Sequence, residues 1–134
     1  MASRDNVSNL NIVRAISPGD YDTSGQPDPQ VIDTQGHESV SLAFIAGVIT
    51  TAQTLVLQHS VDGSAWATVP GADVIGGETA RDAWLATGTD NDVIKVIGYT
   101  GGRRYLRVTC TSADDGAIFS IVGILGHPQY APVS

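Results

Sequence analysis

Hydrophobic and polar residues alternate with a period of two along much of the chain. Val40, Leu42 and Phe44 interleave with Ser39, Ser41 and Ala43. Leu55 and Leu57 interleave with Thr54, Val56 and Gln58, and Leu106, Val108 and Cys110 with Arg107 and Thr109. Side chains on a pleat point to opposite faces in turn, so each run predicts a half-buried strand. Val93–Tyr99 and Ala117–Leu125 are apolar on both faces. They predict strands that lie centrally in a sheet, or strands with one face against a partner. A further strand is predicted over Leu10–Ile16.

Turn chemistry separates these runs. Asp62-Gly63 follows Leu55–Ser60, Gly101-Gly102 follows Val93–Tyr99, and Asp115-Gly116 precedes Ala117–Leu125. Glycine accepts positive φ and aspartate tolerates it, so these dipeptides suit tight hairpins. Residues 93–125 therefore predict an antiparallel meander. Ser17–Gln30, with three prolines and two glycines, predicts an irregular loop. Pro70–Asp92 holds either a short strand or one helical turn near Thr79–Ala86. Seven or eight short strands point to an all-β chain, a β-sandwich or a small barrel, and with aliphatic side chains enough for one core the expectation is an antiparallel β-sandwich of jelly-roll type. In that arrangement the meander lies in one sheet, and the strands at 39–45 and 54–60 fall in different sheets. The organisation is one domain over 10–126, an extended N-terminal arm over 1–9 and a proline-containing tail over 127–134.

Composition narrows the function classes. The length of 134 residues fits one domain, and 42% hydrophobic residues exclude a disordered chain. A net charge of −7 argues against nucleic-acid binding, where basic surface supplies the affinity. No apolar run reaches the ~18 residues of a membrane span. The start, Met1–Asn6, lacks the apolar core of a secretory signal, so synthesis in a cytoplasm is expected. A single cysteine excludes an internal disulfide framework, and Cys110 reads as a small buried hydrophobe.

Catalytic signatures are missing: there is no G-x-S-x-G elbow, P-loop or G-x-G-x-x-G. The expectation is a non-enzyme without cofactor or metal. His37, His59 and His127 lack close ligand spacing and read as turn or surface histidines. Asp20-Tyr21-Asp22 and Asp90-Asn91-Asp92 lack the glycine and distal glutamate of a calcium loop. Lys95, Arg103, Arg104 and Arg107 are four of the seven basic residues and fall within thirteen positions. On a hairpin turning at Gly101-Gly102 they would gather into a patch for an acidic partner surface or phosphate. Alternatively they form a solvated tip that pairs with the chain's own aspartates. Arg104 and Arg107 take opposite faces of an ideal strand, so one patch requires a twist or bulge. Trp66 packs over its hairpin or a sheet edge, or it offers a platform for sugar stacking.

Two resemblances follow from these residues. Leu57–Trp66, with Ser60-Val61-Asp62-Gly63-Ser64-Ala65-Trp66, and the later Arg104-Tyr105-Leu106-Arg107 resemble the S-x-D-G-x-x-W and R-Y-x-R strand pair of discoidin-like jelly rolls. Over nearly the whole chain the sequence resembles small proteins from the head-assembly gene cluster of tailed bacteriophages and prophages. The residues that carry this are Asp33–Val40, Leu57–Trp66, Val96–Tyr99, Arg103–Val108 and Val122–Pro128. The second resemblance implies a virion structural protein, a capsid decoration (cement) protein on the head exterior. Its implied partners are the major capsid protein and copies of itself in a cyclic oligomer such as a trimer, with no nucleic acid and no membrane. The expected contacts are Arg103, Arg104, Arg107, Lys95, Pro128 and Tyr130, with the arm Ala2–Asn9 and the tail Pro128–Val133. A head–tail connector or other neck, tail or fibre component is an alternative. A carbohydrate-binding module using Trp66 or Trp84 is an alternative from another class.

Overall fold

A computed structural model of the chain describes residues 9–22, 25–50, 52–86, 91–111 and 117–128. Its strands are β1 (Asn11–Tyr21), β2 (Ile32–Asp33), β3 (His37–Ile49), β4 (Thr54–Ser60), β5 (Ala67–Thr68), β6 (Ile94–Tyr99), β7 (Tyr105–Thr111) and β8 (Ala117–Pro128). A 3₁₀ turn at Gly71–Asp73 and one helix, α1 (Gly77–Leu85), lie between β5 and β6. Two antiparallel sheets form, β1-β8-β3-β6 and β2-β7-β4-β5, so the chain is the expected all-β sandwich. The pairing is nested: β1 lies beside β8, β2 beside β7, β3 beside β6 and β4 beside β5.

The alternation decides what is inside. From the first sheet Val40, Leu42 and Phe44 on β3, Ile97 and Tyr99 on β6, and Phe119, Ile121 and Leu125 on β8 are buried. From the second sheet come Ile32, Leu55, Leu57, Leu106 and Val108. Together they form one core. Gly123 lets the sheets approach, because a Cβ there would stand 2.8 Å from Ile32 Cδ1 across the sandwich.

Several expectations are corrected. β6, β7 and β8 are not a meander: β6 and β8 belong to the first sheet and β7 to the second. Gly101 and Gly102 are not among the positive-φ residues, as a tight primed turn would require. The segment 100–104 instead carries the chain from one sheet to the other. The strands at 39–45 and 54–60 do fall in different sheets, as β3 and β4. β4 and β5 do pair across Asp62-Gly63, but through the loop 61–66 rather than a tight two-residue turn, with Gly63 at φ 81 and Asp62 not among the positive-φ residues. The turn Asp115-Gly116 lies outside the described residues.

β1 runs on to Tyr21, through part of the predicted loop. It is an edge strand, where the missing N–H of Pro18 need not interrupt a ladder. Register shifts between Arg14 and Ile16 and between Ile16 and Gly19 absorb the extra residues. The Tyr21 hydroxyl donates to the Ser17 carbonyl, folding its ring over Gly19. β6 is an edge strand rather than a central one. Within Pro70–Asp92 the helix is longer than one turn, and Trp84 anchors it in the core at 3% exposure. The Trp84 indole N–H donates to the Lys95 carbonyl at 3.1 Å. β8 also reaches past the expected domain end, with Pro128 opposite His37.

Candidate functional site

The basic residues expected to form one patch are held in three places. Lys95 sits near the start of β6 and donates through Nζ to the Ala86 carbonyl at 2.7 Å, at the C-terminal end of α1. A cation there satisfies orphan carbonyls and complements the helix dipole. Arg107 is on β7, opposite Gln58 of β4. Its guanidinium lies 4.3 Å from the Trp66 ring centroid, and its Nε donates to Gln58 Oε1 at 2.7 Å. Arg103 and Arg104 occupy the crossing between β6 and β7. No hairpin tip gathers all four, because that segment crosses between sheets, but Arg104, over the Tyr105 ring, and Arg107, over Trp66, share the outer face of the second sheet.

Arg104 makes a bidentate pair with Asp33, Nε to Oδ1 and Nη2 to Oδ2, both at 2.8 Å. The Arg104 carbonyl accepts from the Thr34 N–H at 2.9 Å and from the Thr34 hydroxyl at 2.7 Å. These bonds tie the β6–β7 crossing to the turn between β2 and β3, where Gly36 takes φ 89. The Arg104 hydrogen bond holds the Asp33 carboxyl below its ordinary pKa. Of the arginine readings, pairing with the chain's own aspartates is the one that holds for Arg104.

A cleft of about 520 Å³ opens between this turn and the crossing. His37, Glu38, Tyr99, Gly102 and Arg103 are among its lining residues. Both ring nitrogens of His37 are buried without a hydrogen-bond partner. The Tyr99 hydroxyl stands 2.9 Å from His59 Nδ1 and accepts from the Arg103 N–H at 3.3 Å. Burial pushes the Tyr99 phenol up and the His59 imidazole down from their ordinary values. For His59, Arg103 adds to the lowering and Asp73 opposes it.

The histidines differ from expectation. His59 is buried at 3% exposure rather than at the surface. It continues the inward row Leu55, Leu57, His59 on β4, and that spacing was visible in the sequence. His37 and His127 are strand residues, and His127 Nδ1 lies 2.9 Å from Ser39 Oγ. Cys110 is half-buried, beyond the closely packed Leu106 and Val108. Trp84 presents no exposed ring, and Arg107 covers one face of Trp66. Among the described residues no group of three or more His, Cys, Asp and Glu is placed to hold a metal. No helix among them is long and apolar enough to cross a membrane. Pro128 ends β8, while Tyr130, residues 1–8 of the arm and residues 129–134 of the tail lie outside the described residues.

The most distinctive surface is the outer face of the first sheet. Register fixes its rows: Ile12–Ile124–Ser41–Gly98, then Arg14–Val122–Ala43–Val96, then Ser120–Ile45–Ile94. Asp20 and Ile118 extend it at one end. Ile12 (63% exposed), Ile45 (38%), Ile94 (68%), Val96 (61%) and Ile118 (47%) face outward with nothing over them among the described residues. Ile75, 65% exposed, reaches over Gly98 at the β6 edge. β8 is thus central within its sheet, the first reading of its doubly apolar pattern, and it leaves its outer aliphatic side chains uncovered among the described residues.

Comparison with known proteins adds no relative: no protein-family model, curated protein or solved structure matches the chain.

Proposed function

We propose that this chain is a non-enzymatic structural protein of a tailed-phage particle, a capsid decoration (cement) protein on the head exterior. The observation that carries an adhesive role is the uncovered aliphatic face of the first sheet. Contiguous apolar surface of this kind marks an interaction site in soluble proteins. The head-cluster resemblance of Asp33–Val40, Arg103–Val108 and Val122–Pro128 supplies the virion context. The nested pairing of eight strands supports reading the sandwich as a jelly roll. A rigid sandwich repeated over a lattice needs only modest contacts per copy, because the shell multiplies them. The N-terminal arm and the tail would reach neighbouring capsid subunits.

The test is a density map and copy count on intact particles. Hundreds of copies on the head surface fit decoration. About a dozen at one vertex would assign a neck or connector role instead. Absence from purified particles overturns the proposal. Deleting Met1–Asn9 should lower occupancy on heads while the isolated domain keeps its melting temperature. Unchanged occupancy removes the arm from the binding surface.

A further inference from the structure

We infer that the outer face of the first sheet is covered in solution by the same face of a second copy of this chain, related by a two-fold axis. This rests on the reading of that face as adhesive and names its occupant.

Three observations point to a second copy. The first is charge. The chain carries −7, yet the outward positions of β3, β6 and β8 carry no charged residue, and β1 adds only Arg14 and Asp20, one of each sign. Two equally acidic copies meet with least repulsion on such a face. The second is relief. Ser41, Ala43 and Ser120 alternate with Ile124, Val96, Val122, Ile45 and Ile94, so large side chains of one copy can seat against small ones of the other. Face-to-face sheets pack this way at ~10 Å. The third is area. Complete burial of one aliphatic side chain removes roughly 60–120 Å² of apolar surface. Eight partly exposed ones (Ile12, Ile45, Ile75, Ile94, Val96, Ile118, Val122 and Ile124) therefore leave on the order of 500 Å² per copy. Two such faces approach the ~1,000 Å² that a specific interface requires.

The sheet edges are poorer docking sites. At the β6 edge the Ile75 N–H already takes the Gly98 carbonyl. At the β1 edge Pro18 lacks an N–H and two register shifts distort the strand. Face pairing therefore wins over strand addition. A face that buries itself closes only as a pair, so the assembly is a dimer.

The experiment is light scattering coupled to gel filtration, with sedimentation equilibrium, on the full chain from ~1 to ~100 μM. The expected result is a mass approaching twice 13.9 kDa as concentration rises. Val96→Glu and, separately, Ile12→Glu place a carboxylate on opposite edges of the face. Each should weaken self-association at least about 100-fold, since an unpaired charge would enter an apolar interface. Circular dichroism identifies any variant that does not fold, and the other then serves. Val61→Glu, at an equally exposed aliphatic on the Asp62-Gly63 hairpin, should change nothing. A single-chain mass at the highest concentration overturns the inference, as does a trimer or equal weakening by Val61→Glu. The particle count reads the other claim separately. A dimer absent from particles removes the capsid reading alone, and a monomer abundant on heads removes the dimer alone.

Discussion

Phe119 is the side chain on which the first sheet's share of the core turns, and its removal gives the sharpest stability prediction. It projects inward from the central strand β8 at 2% exposure. Its ring stacks on Phe44 of β3 at 5.5 Å between centroids and meets the edge of Tyr21 of β1 at 5.3 Å. One residue therefore joins three adjacent strands. Phe119→Ala deletes a buried ring and leaves a void that β-sheet neighbours, fixed by their ladders, refill poorly. Such substitutions cost about 3–5 kcal/mol. A domain of this size is typically stable by only about 5–15 kcal/mol, so a fifth or more of the total is at stake. With a urea slope of about 2 kcal/mol/M the midpoint should fall by about 2 M, followed by the fluorescence of buried Trp84. Val61→Ala, on an exposed hairpin, should stay within about 0.5 kcal/mol. A Phe119→Ala loss below about 1 kcal/mol with an unchanged slope would refute the reasoning, because the ring could not then be buried among three strands.

Three further outcomes follow from individual contacts. Gly71→Ala should destabilise by about 1–3 kcal/mol in the same urea assay, because its Cβ would lie 2.6 Å from the backbone of Glu78 at the start of α1. His59 is held below its ordinary pKa, so the unfolded chain binds more protons between the folded value and ~6.5. Its contribution to stability is thus complete above that value and fades as pH falls through the folded pKa. His59→Gln should flatten the pH dependence of the urea midpoint between pH 7 and 5, and an unchanged profile would show that His59 does not titrate in this way. Asp62 is also lowered, by the Ala65 and Ser64 N–H groups and then the Ser60 hydroxyl. Its stabilisation is present above the ordinary carboxylate range and lost as pH falls below it. Asp62→Asn should show a shallower acid loss than the natural chain in thermal melts from pH 6 to 2.

Where sequence and structure agree, the side-chain period was strong and the turn residue specific. Period-two alternation located β3, β4 and β7, and Asp62-Gly63 located the connection between β4 and β5, though not its length. What the sequence left hidden was which sheet each strand joins. The segment containing Gly101-Gly102 serves either as a hairpin or as a crossing, and the choice is made by pairing partners far away in the chain: Val40–Ile45 for β6, and Leu55–Ser60 for β7. β1 is longer than its local pattern predicts because Pro18 and Gly19 read as breakers, while an edge position tolerates both. Lys95 is separated from the arginines for the same reason as the meander, since β6 and β7 lie in different sheets. The apolar outer face was half visible. The two-sided pattern of Val93–Tyr99 and Ala117–Leu125 flagged a covered or partnered face, but only the register gathers Ile12, Ile124, Val122, Val96 and Ile94 into rows. The burial of His59 is legible in its spacing, since it lies in step with Leu55 and Leu57.

The claim that most depends on measurement is that this face is an adhesion surface. Its most direct test is methyl NMR of Ile- and Val-labelled chain with a soluble paramagnetic probe, at dilute and concentrated protein. The account predicts that the methyls of Ile12, Val96, Val122 and Ile124 become shielded from the probe on concentration, while Val61 stays fully accessible. Uniform accessibility of all five at every concentration would contradict it.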